Sequence, residues 1–82
     1  MNLSELSISQ VTLLIYTNWR NVNFGAKPYL QAMFSLNKIT DEYFQDRGTE
    51  IVARFLCNAS TWKGEFAREI KKELKRRLKG AK

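Results

Sequence analysis

The sequence predicts an all-α fold, a small compact bundle of about four helices. Three observations carry this. A capping box stands directly before the first helically spaced apolar segment. Apolar residues recur at four-residue steps near the end of the chain. No stretch alternates apolar and polar residues as a half-buried strand would. With 82 residues, 44% of them hydrophobic, the chain suits one helical domain over 1–82 and has no room for a second.

Ser7-Ile8-Ser9-Gln10 is the capping box, with Ser7 as N-cap, Gln10 reaching back, and Leu6 and Val11 at the staple positions. Val11, Leu14, Ile15, Trp19 and Val22 then keep helical spacing, which predicts a helix over about 8–22. Asn21 to Gly25 reads as a turn. Pro28 suits a helix start, and Tyr29, Leu30, Met33 and Phe34 give the apolar face of a helix over 28–36. Thr40-Asp41-Glu42 is an N-cap followed by acids, predicting a brief helical turn through Tyr43 and Phe44 that Gly48 interrupts. A further helix over about 49–58 turns Ile51, Val52, Phe55 and Leu56 inward.

Asn58 to Thr61 forms a tight connection, with Ser60 or Thr61 capping a last helix over about 62–79. There Trp62, Phe66, Ile70, Leu74 and Leu78 stand four residues apart, with Ala67 alongside. Each step drifts by about 40°, so the apolar stripe spirals around the helix. Phe66 and Ile70 are expected in the core, where truncation to alanine costs about 2–5 kcal/mol. Gly64 falls in the first turn, at a local cost of about 1 kcal/mol relative to alanine.

Charge separates the chain into two parts. Residues 1–62 carry five basic and five acidic side chains, whereas residues 63–82 carry nine basic and three acidic ones. The whole net charge of +6 therefore sits on the last twenty residues, which argues for an anionic partner or electrostatic steering. Arg68, Lys71, Lys75, Lys79 and Lys82 lie opposite the apolar stripe, flanked by Lys72 and Arg76. Glu65–Arg68, Glu69–Lys72, Glu73–Arg76 and Glu73–Arg77 have the spacing of helical ion pairs, which neutralise one flank only. The candidate anion-binding residues are Arg68, Lys71, Lys72, Lys75, Arg76 and Lys79, against the plainer reading of a solvated face.

A second candidate surface combines Tyr43, Phe44 and Arg47 beside Asp46 with Trp62 and Lys63. Exposed, this composition suits a protein interface. Buried, Trp62 and Trp19 are core residues with a hydrogen-bonded indole. The helices around Asn58–Thr61 also have the order of a helix-turn-helix, but the turn glycine is missing and Gly64 falls inside the next helix.

Other chemistry has little to build on. Without histidine there is no histidine general base, catalytic triad or histidine metal site. A single cysteine, Cys57, forms no internal disulfide, and its apolar neighbours suggest inert core packing. Asp41, Glu42, Asp46 and Glu50 cluster, but acids in first helical turns have a simple dipole explanation. No enzyme activity, cofactor or metal is expected. Met1 to Glu5 lacks the basic start and apolar core of a secretory signal. Val11 to Tyr16 is far short of the ~20 apolar residues of a membrane span. With a lone cysteine this suggests a reducing cytoplasm and no membrane. Asn58-Ala59-Ser60 then reads as an interhelical turn rather than a glycosylation site.

Four segments, Trp19-Arg20-Asn21-Val22, Phe24 through Met33, Phe55 through Gly64, and Ala67 through Leu74, together resemble a family of small proteins encoded by tailed phages and prophages. The likeness spans roughly residues 11–79. It brings no functional residues with it. It implies a bacterial intracellular setting and stoichiometric binding to host machinery, including defence systems, or to nucleic acid. Three readings follow. The protein docks on a host protein or nucleoprotein complex and modulates or inhibits it. It binds nucleic acid directly through the same basic helix. Or it self-associates through the bundle in a structural role.

Overall fold

The computed structural model describes residues 2–81; Lys82, which the sequence places on the basic face, lies outside them. A 3-10 turn, Leu3–Glu5, precedes α1 (Ile8–Asn18) and α2 (Lys27–Met33). A minimal antiparallel hairpin follows, β1 (Glu42–Tyr43) and β2 (Asp46–Arg47), then α3 (Gly48–Cys57) and α4 (Glu65–Gly80). The architecture is the all-α bundle that the sequence predicts. One contiguous core joins Ile8, Val11 and Ile15 of α1, Leu30 and Met33 of α2, Ile51, Val52 and Phe55 of α3, and Ala67, Ile70 and Leu74 of α4. α2 lies on α3, while α4 packs on α1, α3 and the 3-10 turn.

α1 begins as expected. The Gln10 N–H donates to Ser7 Oγ at 3.1 Å, and the Ser7 N–H donates to Gln10 Oε1 at 2.8 Å. The next free N–H groups, of Ile8 and Ser9, donate to the carbonyls of Asn37 and Leu36 at 2.9 Å each. The chain after α2 thus satisfies donors that a helix start leaves open. α1 ends at Asn18 instead of 22. Trp19 leaves the helix with φ −96° and ψ 89° and turns its ring into the core. Beyond Met33, Phe34, Ser35 and Leu36 continue in tight turns bonded three residues back.

The helical turn expected around residues 40–44 is instead the hairpin, which pairs Tyr43 with Asp46 and Glu42 with Arg47. Asp41 explains the difference. Its Oδ2 accepts from the N–H groups of Asn37 and Lys38 at 3.0 and 2.9 Å, closing the turn before it rather than capping a helix after it. These donors hold its carboxyl below the usual aspartate range. The Gly48 N–H then donates to the Asp41 carbonyl at 2.7 Å. A Cβ at Gly48 would stand 2.6 Å from the Ile39 carbonyl oxygen, so only glycine lets the backbones pass.

Two further expectations are corrected. Cys57 is exposed rather than packed in the core. At about 100° per residue it faces away from Phe55, the ring that α3 buries. Phe66 is 40% exposed and outside the core. Ile70 and Leu74 carry the buried stripe, and the drift of four-residue steps leaves Phe66 at its edge.

Candidate anion-binding face

α4 begins at Glu65, later than the sequence reading of 62, and neither Ser60 nor Thr61 caps it. Its N-cap is Gly64, at φ +113°, a conformation that side-chain-bearing residues rarely adopt. Gly64 therefore lies before the helix, not within it.

The segment ahead of α4 is fixed by side-chain contacts. Trp62 is 3% exposed, so it belongs to the core and leaves the candidate protein interface. Its ring stacks on Trp19 with centroids 5.6 Å apart, and its indole N–H donates to Asn18 Oδ1 at 2.9 Å. Asn23 ties the α1–α2 loop to the same connection, donating to the Asn58 carbonyl at 2.7 Å. The Asn23 Oδ1 accepts from the Ala26 N–H at 2.8 Å and sets the approach to α2.

Lys71 locks α4 onto this segment. Its ammonium donates to the Trp62 carbonyl at 2.6 Å and lies 5.8 Å from the centre of the Trp62 ring. Lys71, which helical spacing places on the face opposite the apolar stripe, is half-buried. Partial burial, then the neighbouring ammonium groups of Lys75 and Lys63, push its pKa below the ordinary lysine range. Positive charge is thus crowded here without a compensating carboxylate.

Around α4, at about 100° per residue, Lys71, Lys75, Arg68, Lys79 and Lys72 fill one arc of about 100°. All but Lys71 are exposed. Glu65, Glu69 and Glu73 occupy the adjoining arc together with Arg76. Of the four ion pairs read from spacing, two form among the described residues. Glu73 Oε2 is 2.7 Å from both Arg76 Nη2 and Arg77 Nε. These guanidinium groups hold the Glu73 carboxyl below its usual range. Arg68, Lys71, Lys72, Lys75 and Lys79 form no ion pair among the described residues. Arg76 belongs to the neutralised flank, which removes it from the free cationic row.

Arg77, which the sequence offered only as a pairing partner, clamps the amino-terminal turn. Its Nη2 donates to the Leu3 carbonyl at 2.7 Å, and its side chain is only 12% exposed. No spacing rule within α4 could reveal this contact, because Leu3 lies 74 residues away.

At the amino-terminal end of the row, Trp62, Lys63, Gly64, Arg68 and Lys71 line an open hollow of about 290 Å³. No side chain caps the α4 amino terminus, and a Cβ at Gly64 would meet nothing within 4 Å. The exposed hairpin residues Phe44 and Arg47 and half-buried Tyr43 lie on a different element, packed against α3.

The described residues contain no group of three or more potential metal-ligating side chains. No helix among them is long and apolar enough to cross a membrane. No family model matches the chain, and neither a curated protein nor a solved structure shows significant similarity to it.

Proposed function

We propose that this protein is a non-enzymatic accessory protein that acts by stoichiometric binding in the cytoplasm of a bacterial host. Its α4 docks on the phosphate backbone of nucleic acid, free or within a host nucleoprotein complex. The observation that carries the reading is the row Arg68, Lys71, Lys72, Lys75 and Lys79, five cations on one flank with no ion pair among the described residues. The row from Arg68 to Lys79 rises about 16 Å along the helix. Each lysine or arginine that meets a phosphate releases a condensed counterion.

The composition of the flank favours phosphate over an acidic protein surface. Protein interfaces draw most of their energy from aromatic or apolar anchors in desolvated pockets. The one exposed large apolar residue of α4, Phe66, lies near Glu73 at the opposite edge of the helix. Modulation or inhibition of host machinery then follows from occupying a nucleic-acid path. Phosphate contacts fix position and carry no sequence information by themselves, so binding is expected to be tolerant of sequence.

The test is titration of a labelled duplex and a labelled single strand over a series of salt concentrations. If the four exposed cations, Arg68, Lys72, Lys75 and Lys79, meet duplex phosphate, log affinity falls with log salt at a slope of about −3.6. Absence of binding at low salt would overturn the proposal. Retention of one specific protein from nuclease-treated bacterial lysate, with no nucleic-acid binding, would favour the docking of α4 on a protein.

A further inference from the structure

We propose that the loop between α1 and α2 is a second nucleic-acid contact, which takes two unpaired bases and so directs the protein to single strands. The inference rests on nucleic acid being the partner of α4 and names the form of the strand. Two open hollows meet at Lys27. Tyr16, Arg20, Asn21 and Val22 line the first, of about 400 Å³, together with Lys27. Phe24, Pro28 and Gln31 line the second, of about 240 Å³, together with the same lysine. Each hollow therefore holds an aromatic ring, a cation and a carboxamide. These are the groups that stack an unpaired base, meet a phosphate and bond a base edge.

Phe24 is 92% exposed, more than any other large apolar side chain among the described residues, and its loop holds it there. Asn23, on one side, donates to the Asn58 carbonyl at 2.7 Å and accepts from the Ala26 N–H at 2.8 Å. Gly25, on the other, lies so close to Asn58 that a Cβ would stand 2.8 Å from its Oδ1. A backbone anchored on both sides presents the ring with little left to order on binding. Tyr16 is half-buried and stacked on Phe34, with centroids 5.1 Å apart. The loop also adjoins the head of the α4 row: Trp19, one residue before Arg20, stacks on Trp62, one residue before Lys63. Charge fits a strand as well. Arg20 and Lys27 are exposed and form no ion pair among the described residues. No carboxylate lines either hollow, and residues 6–40 contain none. Asp46 and Glu50 lie across Pro28 in a separate hollow that Arg54 shares. Counting all of these leaves three cations against two carboxylates; Lys38, which adjoins Asp41, is left out. A duplex keeps its bases stacked on one another, whereas a single strand offers a free face at each base.

Binding of a short single strand, and of the same strand with abasic residues in place of its bases, tests this on the full-length protein. The strand with bases should bind at least about fivefold tighter. Phe24→Ala should remove most of that margin while leaving the abasic strand, the duplex and the thermal midpoint unaffected. Arg20→Glu with Lys27→Glu should make the single-strand salt slope shallower by about 1.4. Arg68→Glu with Lys75→Glu reads the α4 contact separately: it weakens both strands if α4 meets phosphate and neither if it does not, and the Phe24 margin persists in either case. Equal affinity for the two strands, or a margin that Phe24→Ala leaves intact, would overturn the proposal. So would an equal loss of duplex binding in Phe24→Ala, or displacement of the strand by a glutamate-rich peptide of the same length, which would assign the surface to a protein.

Discussion

The Lys71 ammonium donates to the Trp62 carbonyl at 2.6 Å while lying 5.8 Å from the centre of the Trp62 ring. One cation of the basic face therefore tethers α4 to the core. Lys71→Ala removes a charge-assisted hydrogen bond and a cation–π contact, with an expected loss of about 1–3 kcal/mol. Lys75→Ala should stay within about 0.5 kcal/mol of wild type. Chemical denaturation of the two variants checks the contrast, and equal stabilities would contradict the tether.

Ile70 and Phe66 stand one step apart in the four-residue pattern but in different environments. Ile70→Ala should cost about 2–5 kcal/mol, because the site is fully buried. Phe66→Ala should cost less than about 1.5 kcal/mol, because the ring is 40% exposed. Thermal unfolding of both variants measures the difference.

Two glycines resist substitution for different reasons. At Gly48 an added Cβ meets the carbonyl oxygens of Ile39 and Asp41 at 2.6 and 2.7 Å, so Gly48→Ala must displace backbone. At Gly64 nothing lies within 4 Å, and Gly64→Ala is disfavoured by the backbone alone, φ +113° and ψ 171°, at about 1–3 kcal/mol. Thermal midpoints should fall in both, further in Gly48→Ala.

Glu73 connects acid stability to the amino-terminal turn. Its pKa is lowered from 4.5, chiefly by its hydrogen bond with Arg76, and Asp41 is lowered from 3.8 by backbone donors. A lowered folded-state pKa means that the unfolded chain binds the proton more tightly. The stabilising contribution is complete above the ordinary values and is lost as pH falls through the lowered ones. Glu73→Gln should reduce stability at neutral pH and flatten its decline below pH 4.5. A pH series of urea midpoints measures this, and parallel curves for wild type and variant would contradict it.

Much of the bundle was legible in local chemistry. Ser7 and Gln10 mark the start of α1 because a capping box needs only residues three apart. Ile70 and Leu74 mark the core face of α4 through helical spacing. The drift of four-residue steps already contained the exposure of Phe66, but assigning it required knowing where the core centre lies. What the sequence could not reveal depends on partners distant along the chain. Trp19 ends α1 early because Trp62, from the α3–α4 connection, stacks on it. Asp41 closes the preceding turn because Gly48 brings the backbones together. Of the site, the row of α4 cations was readable from charge and periodicity. The engagement of Lys71 with the Trp62 carbonyl is a tertiary fact.

Docking of the cationic α4 row on phosphate is tested most directly by a variant that spares the Lys71 tether. Arg68→Glu with Lys75→Glu alters two exposed cations and leaves Lys71 in place. The expected result is helical content like that of wild type, duplex affinity sharply reduced at low salt, and a salt slope shallower by about 2. Unchanged affinity and slope in a folded double variant would contradict the account and leave the row as a solvated surface.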